Sequence, residues 1–412
     1  MAGPGRSRRP YPPSDPQADT PAMPEPVVFL DNNATTPIAP SVLEAMLPFF
    51  GEHFGNAASA HALGREPARA VQRARRQLAE LIGASDPAEV VFTSGGTEAS
   101  NLAVFGAARR EAARKKLIVG AAEHPATLAP AQHLAELGGH ETVVTRVDHH
   151  GQLDLEALEA ATDERTALVS LLWVNNETGA QIPDETIERI AARTREVGAL
   201  FHLDAVQAAA KVPLEAHRRG IDLLSISAHK FHGPKGIGAL WIRDGVELPA
   251  QTLGGSQERA LRPGTQNVPG IVGLGAAAEL ASTTLSDART HADMVRRRDE
   301  FEAGLLEFCP DRVVHASEGL RVPTTSNTAF PGLAADGLMM LLSELGVCAS
   351  TGAACSSTAR RTSPILGAMG IPEELAACSL RFSFARTTTD AEIEQALGRV
   401  GTAVRQLRAV GV

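Results

Sequence analysis

Cysteine is scarce in this chain: there are four in 412 residues (Cys309, Cys348, Cys355 and Cys378), and none forms a Cys-x-x-Cys pair. That excludes a disulfide scaffold and points to a reducing, intracellular compartment, so a cytoplasmic location is expected. Long apolar runs are also missing, none being read as reaching the ~18 residues a membrane helix needs. With a formal net charge of −9, the chain lacks the positive excess that non-specific binding to nucleic acid or an anionic membrane requires. No internal repeat is found, and low complexity is confined to residues 1–26, which hold eight prolines and almost no large apolar side chain. Such a stretch cannot bury enough surface to offset its ordering entropy, so a disordered tail is expected. It has three arginines but no apolar segment, so it is not a secretory signal. Its acidic residues and prolines speak against a transit peptide.

What remains is ordinary for a soluble globular protein: 21% charged and 43% hydrophobic residues, in a chain long enough for two or three domains. A segment over residues 27–40 is expected to pack with a small domain. A large domain is expected over 41–265 and the small α+β domain over 266–412. Short apolar strands (EVVFT from Glu89, KLIVGA from Lys116, TALVSLLWV from Thr166, ALFHLD from Ala199, DLLSIS from Asp222) alternate with amphipathic helices. Uninterrupted apolar strands between helices predict an α/β fold whose mostly parallel sheet is covered on both faces. GIGALWIR, so soon after the lysine loop, reads as a further strand that can run antiparallel. The charged helix ARTHADMVRRRDEFEAGLLEF, with the apolar stretch before it, leads into strands near RVVHAS, TSNTAF and LRFSFA.

In an open parallel sheet, ligands sit beyond the carboxyl ends of the strands. The turn TSGGTEASN follows one strand and opens a helix, so its N–H groups and the Thr97 hydroxyl can hold an anion, although taken alone it is equally a capped turn. It is neither a Walker loop nor GxGxxG, which argues against a nucleoside triphosphate or a dinucleotide. Asp204 ends another strand, where a buried carboxylate is costly unless it meets a cation or strong donors. Lys230 follows a third, in SAHKFHGPKGIG; standing alone it would read as a solvated loop lysine. A lysine for a Schiff base, an aspartate for a pyridinium nitrogen and a phosphate cradle together form the set that pyridoxal phosphate requires.

The motifs LDNNATTP, FGNAASAHALG, FTSGGTEASNLA, Glu123-His124, VNNETG, HLDAVQ, SAHKFHGPKGIG, RPGTQN and LRFSFAR span nearly the whole chain from Val27. In that order they resemble the cysteine desulfurase family. The resemblance implies a homodimer with the aspartate-aminotransferase-like fold that uses pyridoxal 5'-phosphate to take sulfur from L-cysteine. Lys230 would then be the Schiff-base lysine and Asp204 the pyridinium partner. Gln207 would bind the phenolic oxygen and Asn176 would lie near the ring. Gly96, Thr97, Ser227 and His229 would hold the phosphate, and Thr265 would reach it from the neighbouring subunit. His124 would stack on the ring and take the substrate thiol proton. Arg381, with Asn33, would grip the substrate carboxylate.

Cys355, in ASTGAACSSTARR, matches the family's nucleophile. A lone cysteine is usually a buried structural one, but the small, polar surroundings here favour an exposed thiol. Cys348, in an apolar run, reads as structural, and no tight metal-ligand spacing is found. The resemblance implies a persulfide on Cys355, passed to an acceptor for iron–sulfur clusters, other sulfur-containing cofactors or tRNA thiolation. Three features depart from the family. Ala359-Arg360-Arg361-Thr362-Ser363-Pro364 replaces its usual Leu, Glu, Pro, Ser run, Trp173 precedes NNE where smaller or polar residues are frequent, and only 31 residues (412 minus 381) follow Arg381. A selenocysteine lyase or an aminotransferase would share Lys230 and Asp204, the latter without needing Cys355. A non-catalytic sulfur carrier or interaction protein that kept the scaffold is a further alternative.

Overall fold

The computed structural model describes residues 26–351 and 362–410. Strand β1 (Val28–Phe29) opens the described chain. Seven strands follow: β2 (Val90–Thr93), β3 (Lys116–Gly120), β4 (Glu141–Thr145), β5 (Thr166–Leu172), β6 (Leu200–Asp204), β7 (Leu223–Ser227) and β8 (Gly238–Ile242). They form one sheet in the order β2-β8-β7-β6-β5-β3-β4. Only β8 runs against its neighbours, pairing antiparallel with both β2 and β7. The expected mostly parallel α/β sheet is therefore present, with GIGALWIR as its antiparallel member.

Alternation along the strands sorts the core into two layers. Phe92, Ile118, Val169, Phe201, Leu224 and Trp241 face one layer, while Val91, Leu117, Leu168, Leu200, Leu223 and Leu240 face the other. Trp173 is fully buried in the first, with the Arg219 guanidinium 5.7 Å from its ring centroid. The helix Gly96–Arg110 covers the second face.

The helix Val268–Ser286 is long and apolar enough, by length and composition, to cross a membrane, contrary to the reading of the sequence. Half of it is buried, and it packs in the first core layer against the helix Ala62–Ile82. A Cβ on Gly275 would come within 2.5 Å of the Ala74 Cα, so the two backbones touch where glycine allows it. A second helix, Ala288–Gly304, follows after a break at Asp287, whose side chain accepts from the Arg289 N–H.

The C-terminal part holds β9 (Val313–Val314), β10 (Thr325–Ala329), β11 (Val347–Cys348) and β12 (Ser379–Ser383). Strands β12, β10 and β9 form an antiparallel sheet, and β11 pairs parallel with β1. Its separate core includes Phe301, Phe330, Phe382 and Val400. The stretch after β1 then returns to the large sheet, where Thr36 N donates to His229 O at 2.8 Å.

Candidate active site

Strands β3, β5, β6 and β7 end on one side of the sheet, and a polar residue emerges after each. Asp204 closes β6 and is 3% exposed. Burial pushes its carboxyl above the usual carboxylate range, against the pull of His124, the Val206 N–H, Lys230 and Ser100. A buried acid in this state is suited to a cationic donor.

His124 caps the helix Pro125–Glu136, its Nδ1 accepting from Ala126 N at 3.1 Å. The backbone N–H can only donate, so a neutral His124 carries its proton on Nε2. Burial holds its pKa below the ordinary histidine value, with Asp204 opposing and Lys230 adding to the effect. Asp204, His124 and Lys230, distant in sequence, thus sit close enough to perturb one another.

Lys230 ends the turn Ala228–Lys230 after β7. Its Nζ donates to Asn33 O at 2.6 Å and to Ala34 O at 2.9 Å. Beside it, His229 is pushed down to about 4 by burial and by the two lysines Lys230 and Lys235. Its Nδ1 lies 3.1 Å from the Thr35 hydroxyl. Gly96 opens the helix after β2, and a Cβ there would fall 2.5 Å from Val206 and 3.5 Å from the Ser227 Cβ. The loop therefore lies against Ser227, and the first N–H groups of the helix form an anion-binding end. Thr97 is exposed at that end.

Gln207 is buried, donating from Nε2 to Asn33 O at 2.8 Å and accepting from Lys211 Nζ at 2.6 Å. Asn33 also accepts from Lys211 through Oδ1 at 2.8 Å and donates to Thr325 and Asn176 O. One residue thereby ties the lysine turn to the C-terminal sheet. Arg381, in β12, donates to Asn176 O at 3.0 Å and to Asp31 Oδ1 at 2.7 Å. Its Nε and the Asn176 Oδ1 are buried without hydrogen-bond partners.

Most of the predicted site residues thus converge. Thr265 is the exception within one chain: it lies exposed in the loop before the helix Val268–Ser286. Cys355 lies outside the described residues, but both flanks of its segment are anchored here. Ser350 exchanges backbone hydrogen bonds with Arg381, and the Ser363 hydroxyl donates to Glu177 Oε2 at 2.5 Å. Sequence reasoning assigned no role to Lys211, Asp31 or Glu177. Lys211 stood in plain sight four residues after Gln207, and its burial was the missing information. Burial, with Lys230 and Arg381 nearby, holds its amine well below the normal lysine value.

The family model for Aminotransferase class-V matches residues 28–396. A cysteine desulfurase of Cereibacter sphaeroides is 47% identical over 93% of this chain and 97% of its own length. The chain belongs to the cysteine desulfurase family. Among solved structures, a NifS-like protein superposes with a TM-score of 0.85 at 35% identity, over 92% of this chain and all of its own. A structure described as SspA in complex with cysteine gives 0.76 at 32% identity, over 88% and 99%.

Desulfurases of this family depend on pyridoxal phosphate, and the residues present fit it. The unpartnered Asn176 Oδ1 and Arg381 Nε, the glycine-lined helix start and the buried Asp204 supply acceptors and donors for a polar, anionic ligand. The described cysteines are poor nucleophiles for a desulfurase. Burial raises the thiol pKa of Cys348 and Cys378, and takes Cys309 to about 11. Cys348 sits in β11, in keeping with a structural role.

Proposed function

We propose that this chain takes sulfur from L-cysteine, releases L-alanine, and holds the sulfur as a persulfide on Cys355. The observation that carries the reading is the convergence of Asp204, His124 and Lys230 at the strand ends, with Arg381 reaching over from β12. Lys230 would hold pyridoxal phosphate covalently, Asp204 its ring nitrogen and Gln207 its phenolic oxygen, with Asn176 near the ring. Gly96, Thr97, Ser227 and the neutral His229 would receive its phosphate. Once bound, the cofactor supplies an electron sink for negative charge at the substrate Cα.

The chain's own residues do the rest. Arg381 and Asn33 orient the substrate carboxylate, a task suited to a planar guanidinium. Lys230, whose Nζ is a basic group at the site, would move the substrate Cα proton. The Cys355 thiolate attacks the substrate sulfur, forming the S–S bond while the Cβ–S bond breaks and its electron pair stays with carbon. Cβ then takes one proton and Cα regains the one it gave up, and the product leaves as alanine. His124 is the proposed partner of the substrate thiol. Its Nδ1 caps a helix, so taking that proton requires release of the Ala126 N–H.

A homodimer completes the site in this reading, Thr265 reaching the neighbouring subunit's phosphate. Leu43, Leu47, Phe50, Phe54 and Leu63, close in sequence, are each exposed, Phe54 by 69%, which supports such an interface. The sulfur would pass to an acceptor protein serving iron–sulfur assembly or another sulfur-containing product, in the cytoplasm.

The test is to incubate the protein with L-cysteine and a thiol reductant, and to quantify L-alanine. Wild type should form it and Cys355→Ala should not. Bound cofactor with no alanine from either would discard the reading in favour of aminotransferase or selenocysteine lyase chemistry.

A further inference from the structure

The sheet face under the helix Gly96–Arg110 turns from apolar to polar toward the strand ends. Leu168, Leu200 and Leu223 give way to Ser170, His202 and Ser225 on the same face. These three and Ser100 of the helix are all fully buried. Ser170 Oγ lies 2.7 Å from His202 Nδ1, and His202 Nε2 lies 2.8 Å from Ser225 Oγ. Ser225 Oγ lies 3.1 Å from Ser100 Oγ, which is 3.5 Å from Asp204 Oδ2. Four polar groups in an apolar layer are costly unless each is satisfied, and here each has partners.

Proton counting gives this chain a direction. An ionised Asp204 can only accept, so Ser100 donates to it. Ser100 has one proton, so Ser225 must donate to Ser100. His202 then donates to Ser225 from Nε2, and its Nδ1 accepts from Ser170. A protonated Asp204 permits the reverse order, with the His202 proton on Nδ1.

We infer that Ser170, His202, Ser225 and Ser100 form a one-way hydrogen-bond chain that keeps Asp204 ionised and aimed at the cofactor's ring nitrogen, which makes His202 a positioning residue. This rests on the cofactor reading above. Burial also drives the His202 pKa down to about 3, so the imidazole stays neutral and can both donate and accept.

The experiment is nitrogen NMR on the holoenzyme, with 15N-labelled histidine in one sample and 15N-labelled pyridoxal phosphate in another. His202, assigned by its loss in His202→Gln, should be neutral with the proton on Nε2. In His202→Leu and Ser225→Ala the ring-nitrogen signal should move toward the unprotonated position. Alanine formation should fall about tenfold, which corresponds to ~1.4 kcal/mol of lost transition-state stabilisation. His202→Gln, with one donor and one acceptor, should recover part of both. A wild-type His202 protonated on Nδ1 overturns the inference. So does an unmoved ring-nitrogen signal in Ser225→Ala, which decides the matter if His202→Leu fails to fold. A wild type that binds no pyridoxal phosphate overturns the cofactor reading itself, and this inference with it.

Discussion

The Arg381 guanidinium is held by the Asp31 carboxylate at 2.7 Å. The pair joins β12 to the N-terminal stretch, 350 residues apart in sequence, and aims the guanidinium across the site. Arg381→Lys keeps the charge but loses the planar fork. KM for L-cysteine should rise about five- to thirtyfold, as expected for losing roughly 1–2 kcal/mol of charge-assisted hydrogen bonding, with kcat changing less. Steady-state alanine formation measures it. An unchanged KM would remove Arg381 from substrate binding.

Ser363 serves two partners at once. It donates to Glu177 and accepts from the Ile365 and Leu366 N–H groups, capping the helix that follows the Cys355 segment. Ser363→Ala should cost about 2–3 kcal/mol from the lost cap and a stranded buried carboxyl. Ser363→Thr should restore most of it. Denaturant melts of the three proteins read the stability, and alanine assays should show the Ala variant slowed as well.

Glu123 accepts from Leu172 N at 2.7 Å through one oxygen, while the other is buried without a partner. Burial raises its pKa well above the free-carboxyl value of 4.5. A raised folded-state pKa gives stability that is complete below the unfolded value and is lost as pH climbs through the folded one. Glu123→Gln keeps the neutral form at every pH. Its Tm should match wild type near pH 4 and exceed it at pH 8, on the order of 2 °C. Equal melting curves at both pH values would mean that the Glu123 pKa is not raised in the fold.

His315 lies buried with Nε2 2.8 Å from the Ser379 hydroxyl, and burial pushes it down to about 4. The sign is opposite to that of Glu123. A depressed folded-state pKa gives stability present above the unfolded value of 6.5 and lost as pH falls toward 4. The loss approaches ~1.4 kcal/mol per pH unit for this one group. His315→Gln should lose less stability than wild type between pH 7 and 5 in denaturant titrations.

The amino-acid sequence alone determined the α/β class, six of the seven strands of the large sheet and the polar residues at the strand ends; it left out the half-exposed edge strand Glu141–Thr145, which has no uninterrupted apolar run. Those follow from local pattern: apolar runs make buried strands, and a residue just past a strand must lie at the sheet's edge. Asp204, Lys230 and His124 were legible for that reason, and the ordered motifs around them pointed to their chemistry. Tertiary structure decided the contacts between residues far apart in sequence. Nothing local reveals that Lys211 is buried against Asn33, that Ser363 meets Glu177, or that His202 links Ser170 to Ser225. Nor did composition show that the apolar helix Val268–Ser286 packs against another helix through Gly275. Each depends on which surfaces meet once the chain closes, and burial then sets which protons those groups keep.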